Sequence, residues 1–234
     1  MNLNDIYCMD CLEGMRDMPN DSVKLTVTSP PYNIGHNHMS CRKYEGYGDK
    51  RKDYLSWLKC RLDEMIRVSE TVFLNIQILS ANKRDVLDIL SDYRGNLKDM
   101  IVWTKTNPVP QQERGVLNNA FEFILIFSKD RPEIRKFSDV AFRGTLSNVI
   151  STPVNSSNRW VDLNRATFPI QIPNVIIKHF SREGDVILDP FMGTGTTAES
   201  AIQLNRKFIG FEIDERQVIE ARRRVSNYQG QLFI

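Results

Sequence analysis

An α/β fold, built on a parallel sheet covered by helices, is what three observations on the 234 residues predict. Apolar and β-branched runs alternate with segments of helical period through most of the chain. Near the C-terminus a strand, a glycine turn and a helix follow in immediate succession. Upstream, another strand ends in a rigid Pro-Pro turn.

The apolar run near Asp5 to Met9 and the β-branched run Val23 to Thr28 read as the first two strands. Tyr54 to Val68 has helical period and leads into a strand near Thr71 to Ile76. A second helical segment, Ala81 to Leu90, precedes strands near Asp99 to Trp103 and Phe121 to Phe127. Helix Ile172 to Phe180, strand Val186 to Leu188, helix Thr196 to Leu204, strand Lys207 to Phe211 and helix Glu215 to Asn227 complete the alternation. Gly35 to Lys52 and Asp130 to Ala166 fit neither period. Both exceed ordinary loop lengths, which marks them as functional or disordered.

At 27.1 kDa the chain suits one core with an insertion better than two domains. Its apolar runs are far shorter than the roughly 20 residues of a membrane-spanning helix. The N-terminus lacks a secretory pattern, and four cysteines are too few for a disulfide scaffold. An intracellular, cytoplasmic protein is expected. Cys8 and Cys11 form one Cys-x-x-Cys pair that nothing completes to a zinc spacing, so no metal is expected.

The net charge of +2 is unevenly spread. Residues 36–52 carry Arg42, Lys43, Lys50, Arg51 and Lys52 against Glu45 and Asp49. Residues 131–165 carry Arg131, Arg135, Lys136, Arg143, Arg159 and Arg165 against Glu133, Asp139 and Asp162. Two basic irregular segments on a balanced chain suit phosphate contacts, with Arg42, Lys43, Arg51, Lys52, Arg135, Lys136, Arg143 and Arg159 as the candidates. Solvated loops are the plainer reading of the same charges. The run Arg222 to Arg224 reads as a solvated helix face.

The strand Val186 to Leu188 ends at Asp189 and runs through Pro190, Phe191, Met192, Gly193, Thr194, Gly195, Thr196 and Thr197 into a helix. Glycines two apart let the backbone turn tightly and approach a ligand, and the helix start offers unpaired N–H groups. The next strand ends on Glu212, where a carboxylate can accept ribose hydroxyls. By itself this also matches a nicotinamide-dinucleotide fingerprint. Only one more helix fits after Glu212, so the remaining strands of such a sheet must come from upstream, a circularly permuted order that a dinucleotide enzyme does not ordinarily use.

The strand Val23 to Val27 ends in Thr28, Ser29, Pro30, Pro31, Tyr32 and Asn33. Consecutive prolines impose an extended, stiff path at a strand's C-terminal end, where open α/β sheets bind ligands. The Ser29 hydroxyl and the Pro30 carbonyl can accept two hydrogen bonds from one planar amino group while Tyr32 stacks on the heterocycle bearing it.

The two motifs, Ser29-Pro30-Pro31-Tyr32 followed by Asp189-Pro190-Phe191-x-Gly193-x-Gly195, resemble those of the β-group of DNA amino-methyltransferases. Members methylate an exocyclic amine of cytosine or adenine with S-adenosylmethionine. Asp10-Cys11-Leu12-Glu13 resembles the segment whose Asp meets the cofactor's adenine. Trp103-Thr104-Lys105 and Phe121 to Lys129, with Glu122, resemble the middle motifs, and Ala166-Thr167-Phe168-Pro169 the segment under the cofactor's methionine end. Asn164 stands where many members have His. The resemblance implies a Rossmann-like methyltransferase fold in permuted order. Residues 1–129 would form the catalytic half, 130–166 a small target-recognition insertion and 167–234 the cofactor-binding half. It assigns Ser29, Pro30, Pro31 and Tyr32 to catalysis. Asp10, Cys11, Thr28, Phe168, Asp189, Pro190, Phe191, Gly193, Gly195, Thr196, Thr197 and Glu212 go to the cofactor.

The implied reaction is site-specific methyl transfer to the N4 amine of cytosine in double-stranded DNA, after the base is flipped out. Ser before Pro-Pro-Tyr goes mostly with cytosine and Asp mostly with adenine, so N6-adenine is the alternative. A cognate restriction endonuclease and a second copy of the chain are the implied protein partners. More remote readings are a nicotinamide oxidoreductase, a DNA-binding module without catalysis, and methylation of RNA or protein amides, where Asn is usual at the Ser29 position.

Overall fold

The computed structural model describes residues 1–34, 50–108, 110, 114–154 and 168–229. Its strands are β1 (Asp5–Cys8), β2 (Val23–Thr28), β3 (Ser69–Ile76), β4 (Leu97–Lys105), β5 (Phe121–Ser128), β6 (Val149–Thr152), β7 (Val186–Asp189) and β8 (Lys207–Glu212). Its helices are α1 (Cys11–Arg16), α2 (Tyr54–Val68), α3 (Lys83–Asp92), α4 (Gln171–Phe180), α5 (Thr196–Gln203) and α6 (Glu215–Gln229). Every strand and helix expected from periodicity forms within a few residues of its expected bounds.

The strands join into one sheet in the order β1-β8-β7-β2-β3-β5-β4-β6. One expectation is corrected: β5 runs antiparallel to both β3 and β4, so the sheet is mixed. No helix intervenes between β4 and β5 among the described residues, and a chain that returns without a crossover helix pairs antiparallel. Two elements carried no periodic signal because they are short. The six-residue α1 starts at Cys11 with Asp10 as its N-cap, the Asp10 carboxylate accepting from the Leu12 N–H at 2.7 Å. The four-residue β6 lies inside the span read as irregular and adds to the β4 edge in parallel.

Apolar side chains bury both sheet faces. Residues of α4, α5 and α6, among them Ile172, Ile177, Ala198 and Ala221, pack with Leu25, Val27, Phe73, Ile126 and Phe208. Residues of α1, α2 and α3, among them Met15, Leu58, Leu62 and Val86, pack with Val72, Leu74, Phe127, Leu188 and Phe211 on the other side. The alternation along β3 and β5 sends neighbouring side chains to opposite cores. Each fully buried Leu or Phe contributes on the order of 1.5–3 kcal/mol.

The pairing β2·β7 sets the site. From β2 the chain proceeds outward to β3, and from β7 it proceeds the other way to β8. Strand order reverses between them, and the crevice beyond their carboxyl ends is where such sheets take ligands. The permuted order is therefore realised: the glycine-turn strand, late in sequence, stands inside the sheet between β8 and β2.

The basic run on α6 departs from its expected exposure. Arg224 is buried, ion-paired through Nε with Glu199 of α5, and its Nη1 donates to Thr196 Oγ1 at 3.0 Å. Arg222 and Arg223 face solvent as expected. Among the described residues no helix is long and apolar enough to cross a membrane.

Candidate active site

At the end of β7 the Asp189 carboxylate is buried and bonded from three directions. Thr28 Oγ1 donates to Oδ1 at 2.6 Å, Thr197 Oγ1 to Oδ2 at 2.6 Å, and the Phe191 N–H to Oδ1 at 3.0 Å. Burial raises its pKa from 3.8 to about 6; the Thr197, Thr28 and Phe191 bonds oppose this, and the charge of nearby Glu212 adds to it. The turn that follows needs left-handed backbone, with φ of 53° at Gly193 and 87° at Gly195. A Cβ on Gly195 would meet Ala221 of α6 at 3.1 Å. Thr28, Thr196 and Thr197, expected to touch the cofactor, turn their side chains into the protein: Thr28 and Thr197 hold Asp189, and Thr196 accepts from Arg224.

Glu212 ends β8 beside this turn. Its Oε2 accepts from the Gly193 N–H, and its Oε1 from the N–H groups of Ile213 and Asp214, each at 2.9 Å. Burial raises its pKa, against which those three backbone donors work. Both lone pairs of Oε1 are used and one on Oε2 is left. The carboxylate is thus fixed in orientation with one acceptor position for a hydroxyl.

On the α1 side, Asp10 caps α1 with Oδ1, and its Oδ2 pairs with Arg61 Nη2 of α2 at 2.7 Å. The Arg61 guanidinium lies 4.3 Å from the centroid of Trp57, whose ring is 5.6 Å from that of Phe191. Arg61 and Trp57 carried no sequence signal, being ordinary positions of an amphipathic helix. Burial pushes the Cys11 thiol up to about 12 although Arg61 pulls it down, so the thiol stays protonated. Phe168 is buried in the core shared by α4 and α5.

The second turn leaves β2 next to this region. Pro30 is buried, and the Tyr54 hydroxyl of α2 donates to the Pro31 carbonyl at 2.7 Å. Asn33, with φ of 62°, donates from Nδ2 to the Arg51 carbonyl and accepts through Oδ1 from the Arg51 N–H. That side chain fastens together the two ends of the segment between residues 34 and 50. The Tyr32 hydroxyl points into a polar cluster: it donates to Glu122 Oε2 at 2.8 Å, accepts from Asn75 Nδ2 at 2.7 Å and lies 2.9 Å from Ser29 Oγ. Asn75 Nδ2 also donates to Glu122 Oε2 at 2.8 Å, and Glu122 Oε1 pairs with Lys105 Nζ at 2.7 Å. Burial, with the charge of Glu122, holds the Tyr32 hydroxyl well above the ordinary tyrosine range, so it stays protonated. Glu122 and Lys105 lay within the middle motifs without a role, and Asn75 was not singled out at all.

The basic candidates separate. Arg51 and Lys52 are exposed beside Asn33 at the site end, with the Arg51 guanidinium 4.9 Å from the Trp57 centroid. Arg135 is not brought there. Its guanidinium grips Asp99 near the start of β4 with two bonds of 3.0 Å. Six residues of strand separate Asp99 from Lys105, roughly 20 Å. Lys136 follows Arg135 on the same exposed loop, and Ala141, two residues before the exposed Arg143, bonds to His179 at the end of α4, also away from the site. The reason is that β6 carries the chain back toward the site only after residue 149. Arg42, Lys43, Arg159, Asn164, Ala166 and Thr167 lie outside the described residues. Among the described residues no cluster of His, Cys, Asp and Glu is arranged to hold a metal.

Comparison with known proteins agrees with this arrangement. A family model described as DNA methylase, N6_N4_Mtase, matches residues 23–223. The Type II methyltransferase M.MjaI of Methanocaldococcus jannaschii is 26% identical over 260 residues, covering 86% of this chain and 84% of the relative. Among solved structures, the cytosine-N4-specific PvuII DNA methyltransferase aligns with a TM-score of 0.72 at 18% identity, covering 97% of this chain and 91% of that one. The M1.HpyAVI–SAM complex aligns at 0.64 with 24% identity, covering 94% and 98%. At these identities the structural likenesses speak to the fold. The family match spans most of the chain and takes in both turns at the switch point, and by it this chain belongs to the N6_N4_Mtase DNA methylase family.

Proposed function

We propose that the protein transfers a methyl group from S-adenosylmethionine to the exocyclic N4 amine of cytosine in double-stranded DNA. The observation that carries the reading is the meeting of two unlike turns at one switch point: the acid-flanked glycine turn of β7 and β8, and the Ser29 turn of β2. The donor set suits S-adenosylmethionine. Glu212 keeps an acceptor position for a ribose hydroxyl, Asp10 has lone pairs left for the adenine amine, and the Phe191 ring offers an apolar wall. When bound, that group supplies an electrophilic methyl on a sulfonium sulfur.

The protein's own task is to present the amine. An exocyclic amine is a poor nucleophile because its lone pair is delocalised into the ring. Bonds from its two hydrogens to Ser29 Oγ and the Pro30 carbonyl favour a pyramidal nitrogen with the pair aimed at the methyl. The base must leave the duplex to reach this crevice, and the half-buried Tyr32 ring is the surface offered for stacking. Arg51 and Lys52, with Arg42, Lys43 and Arg159, are the proposed phosphate contacts. Residues 1–129 and 167–234 act as the two halves of one catalytic domain in the cytoplasm, with 130–166 as the target-recognition insertion between them. A cognate restriction endonuclease, in keeping with the Type II name of a relative, and a second copy of the chain are the candidate protein partners.

Cytosine is favoured by Ser29 and by the specificity named for the PvuII enzyme. Adenine N6 presents the same two hydrogens and is the second reading. Nucleoside digestion of methylated plasmid DNA with mass spectrometry is expected to give N4-methylcytosine. N6-methyladenine as sole product would overturn the base, and methylation of tRNA or protein in place of DNA would overturn the substrate class.

A further inference from the structure

Ser29 does not stand alone. It is the first member of a hydrogen-bonded chain that runs from the turn after β2 to β5 and β4, through Tyr32 Oη at 2.9 Å to Glu122 Oε2 at 2.8 Å, with Lys105 Nζ at 2.7 Å from Glu122 Oε1. The direction of each bond follows from the hydrogens available. Glu122, ion-paired, only accepts. The Asn75 amide must present its nitrogen to Tyr32 and Glu122, since its oxygen at 2.8 Å from a carboxylate oxygen would repel. Tyr32 has one hydrogen, and Glu122 takes it. The Tyr32 oxygen is left to accept, from Asn75 and from Ser29. The Ser29 proton therefore points inward to Tyr32, and with Asn75 Nδ2 3.4 Å from Ser29 Oγ, one Oγ lone pair is left to accept from the amine.

On this basis we propose that Glu122 is the terminal acceptor of the proton released in methyl transfer, reached through Tyr32 and Ser29, and that Asn75 sets the direction of that relay. The inference rests on the amine-methylation reading above. As the amine nitrogen forms its bond to the methyl carbon, the carbon–sulfur bond breaks and its electron pair stays on sulfur. The nitrogen now carries one proton too many and is strongly acidic, because losing that proton restores conjugation with the ring. The proton passes to Ser29 Oγ while the Ser29 proton passes to Tyr32 Oη and the Tyr32 proton to Glu122 Oε2. Ser29 and Tyr32 end neutral, as they began, and Glu122 becomes a carboxylic acid. Lys105 Nζ pairs with Glu122 Oε1 at 2.7 Å inside a region where Asn75 is only 3% and Glu122 7% exposed. A donor that is so strong an acid needs only a carboxylate to receive its proton, so the Lys105 ion pair does not disable the acceptor.

The test uses the full-length protein with S-adenosylmethionine and plasmid DNA, and compares wild type with Glu122→Gln and Tyr32→Phe. Single-turnover methyl transfer is expected to fall by about 10²- to 10⁴-fold in each variant, the usual range for a lost acid–base group. Calorimetric S-adenosylmethionine affinity should stay within about twofold, since general positioning is retained. The wild-type rate is expected to slow in D₂O with a curved proton inventory, and both variants to lose the curvature. A wild-type rate in either variant overturns the relay, as does a straight inventory in the wild type. In the free protein, ¹³Cζ-tyrosine NMR is expected to show the Tyr32 resonance shift on Glu122→Gln; no shift would also overturn it. If wild type methylates no DNA while that resonance shifts, the functional reading fails and the hydrogen-bond chain stands.

Discussion

Thr28 and Asp189 are 161 positions apart, yet the Thr28 hydroxyl donates to the Asp189 carboxylate at 2.6 Å in the buried gap between β2 and β7. That bond ties the strand ending in Ser29 to the strand ending in the glycine turn. It also explains why a carboxylate is tolerated there: the two threonine hydroxyls and one backbone N–H replace part of the water it lost.

The raised pKa of Asp189 has a sign that can be measured. With an unfolded value of 3.8 and a folded value of about 6, the folded state binds more protons between them, so this residue's contribution to stability is present below 3.8 and lost as pH rises through 6. Urea denaturation should show a downward slope in stability from this group over that window, worth at most about 3 kcal/mol. Asp189→Asn should flatten it. An unchanged slope in the variant would assign the effect elsewhere.

Glu212 is expected to carry the ribose. Replacing it with Ala should weaken S-adenosylmethionine binding by about 1.5–3 kcal/mol, the worth of hydrogen bonds to a charged group. Because the side chain also holds three backbone N–H groups, thermal melting should be run beside the calorimetry. Unchanged affinity in a folded variant would remove Glu212 from the site.

The two basic segments are expected to behave differently toward DNA. Neutralising Arg51 and Lys52 to Gln should lower the salt slope of binding by about 0.9 for each phosphate that no longer meets a cation. The same change at Arg135 and Lys136 should leave it unaltered, because Arg135 is engaged with Asp99 at the opposite end of β4. A reversed result would put the DNA at the opposite end of the strands.

Arg224→Ala should destabilise the fold by about 3–5 kcal/mol, because it strands the buried Glu199 carboxylate without its cation. The double replacement Glu199→Leu with Arg224→Met should recover most of that loss in urea melts. A cost no larger than that of a surface substitution would show that water reaches Glu199.

The amino-acid sequence by itself determined the α/β class, the position of nearly every strand and helix, and both turns, for these signals are local: a period of 2 or 3.6, Pro-Pro at a strand end, glycines two apart before a helix. The mixed sheet escaped it because strand direction depends on how the chain returns from β4, and β6 was too short to register a period. Buried Arg224 escaped it because a run of arginines looks the same whether or not a glutamate 25 residues earlier waits opposite. Ser29 and Tyr32 were legible as a pair, but Asn75, Lys105 and Glu122 were not legible as their partners. These three sit on β3, β4 and β5 and meet only because the sheet order sets those strands side by side, with Trp103 opposite Glu122 and Asn75 opposite Ile124. Only the tertiary structure decides such a cluster, since hydrogen bonds reach about 3 Å and sequence separation says nothing about which distant strands will come that close.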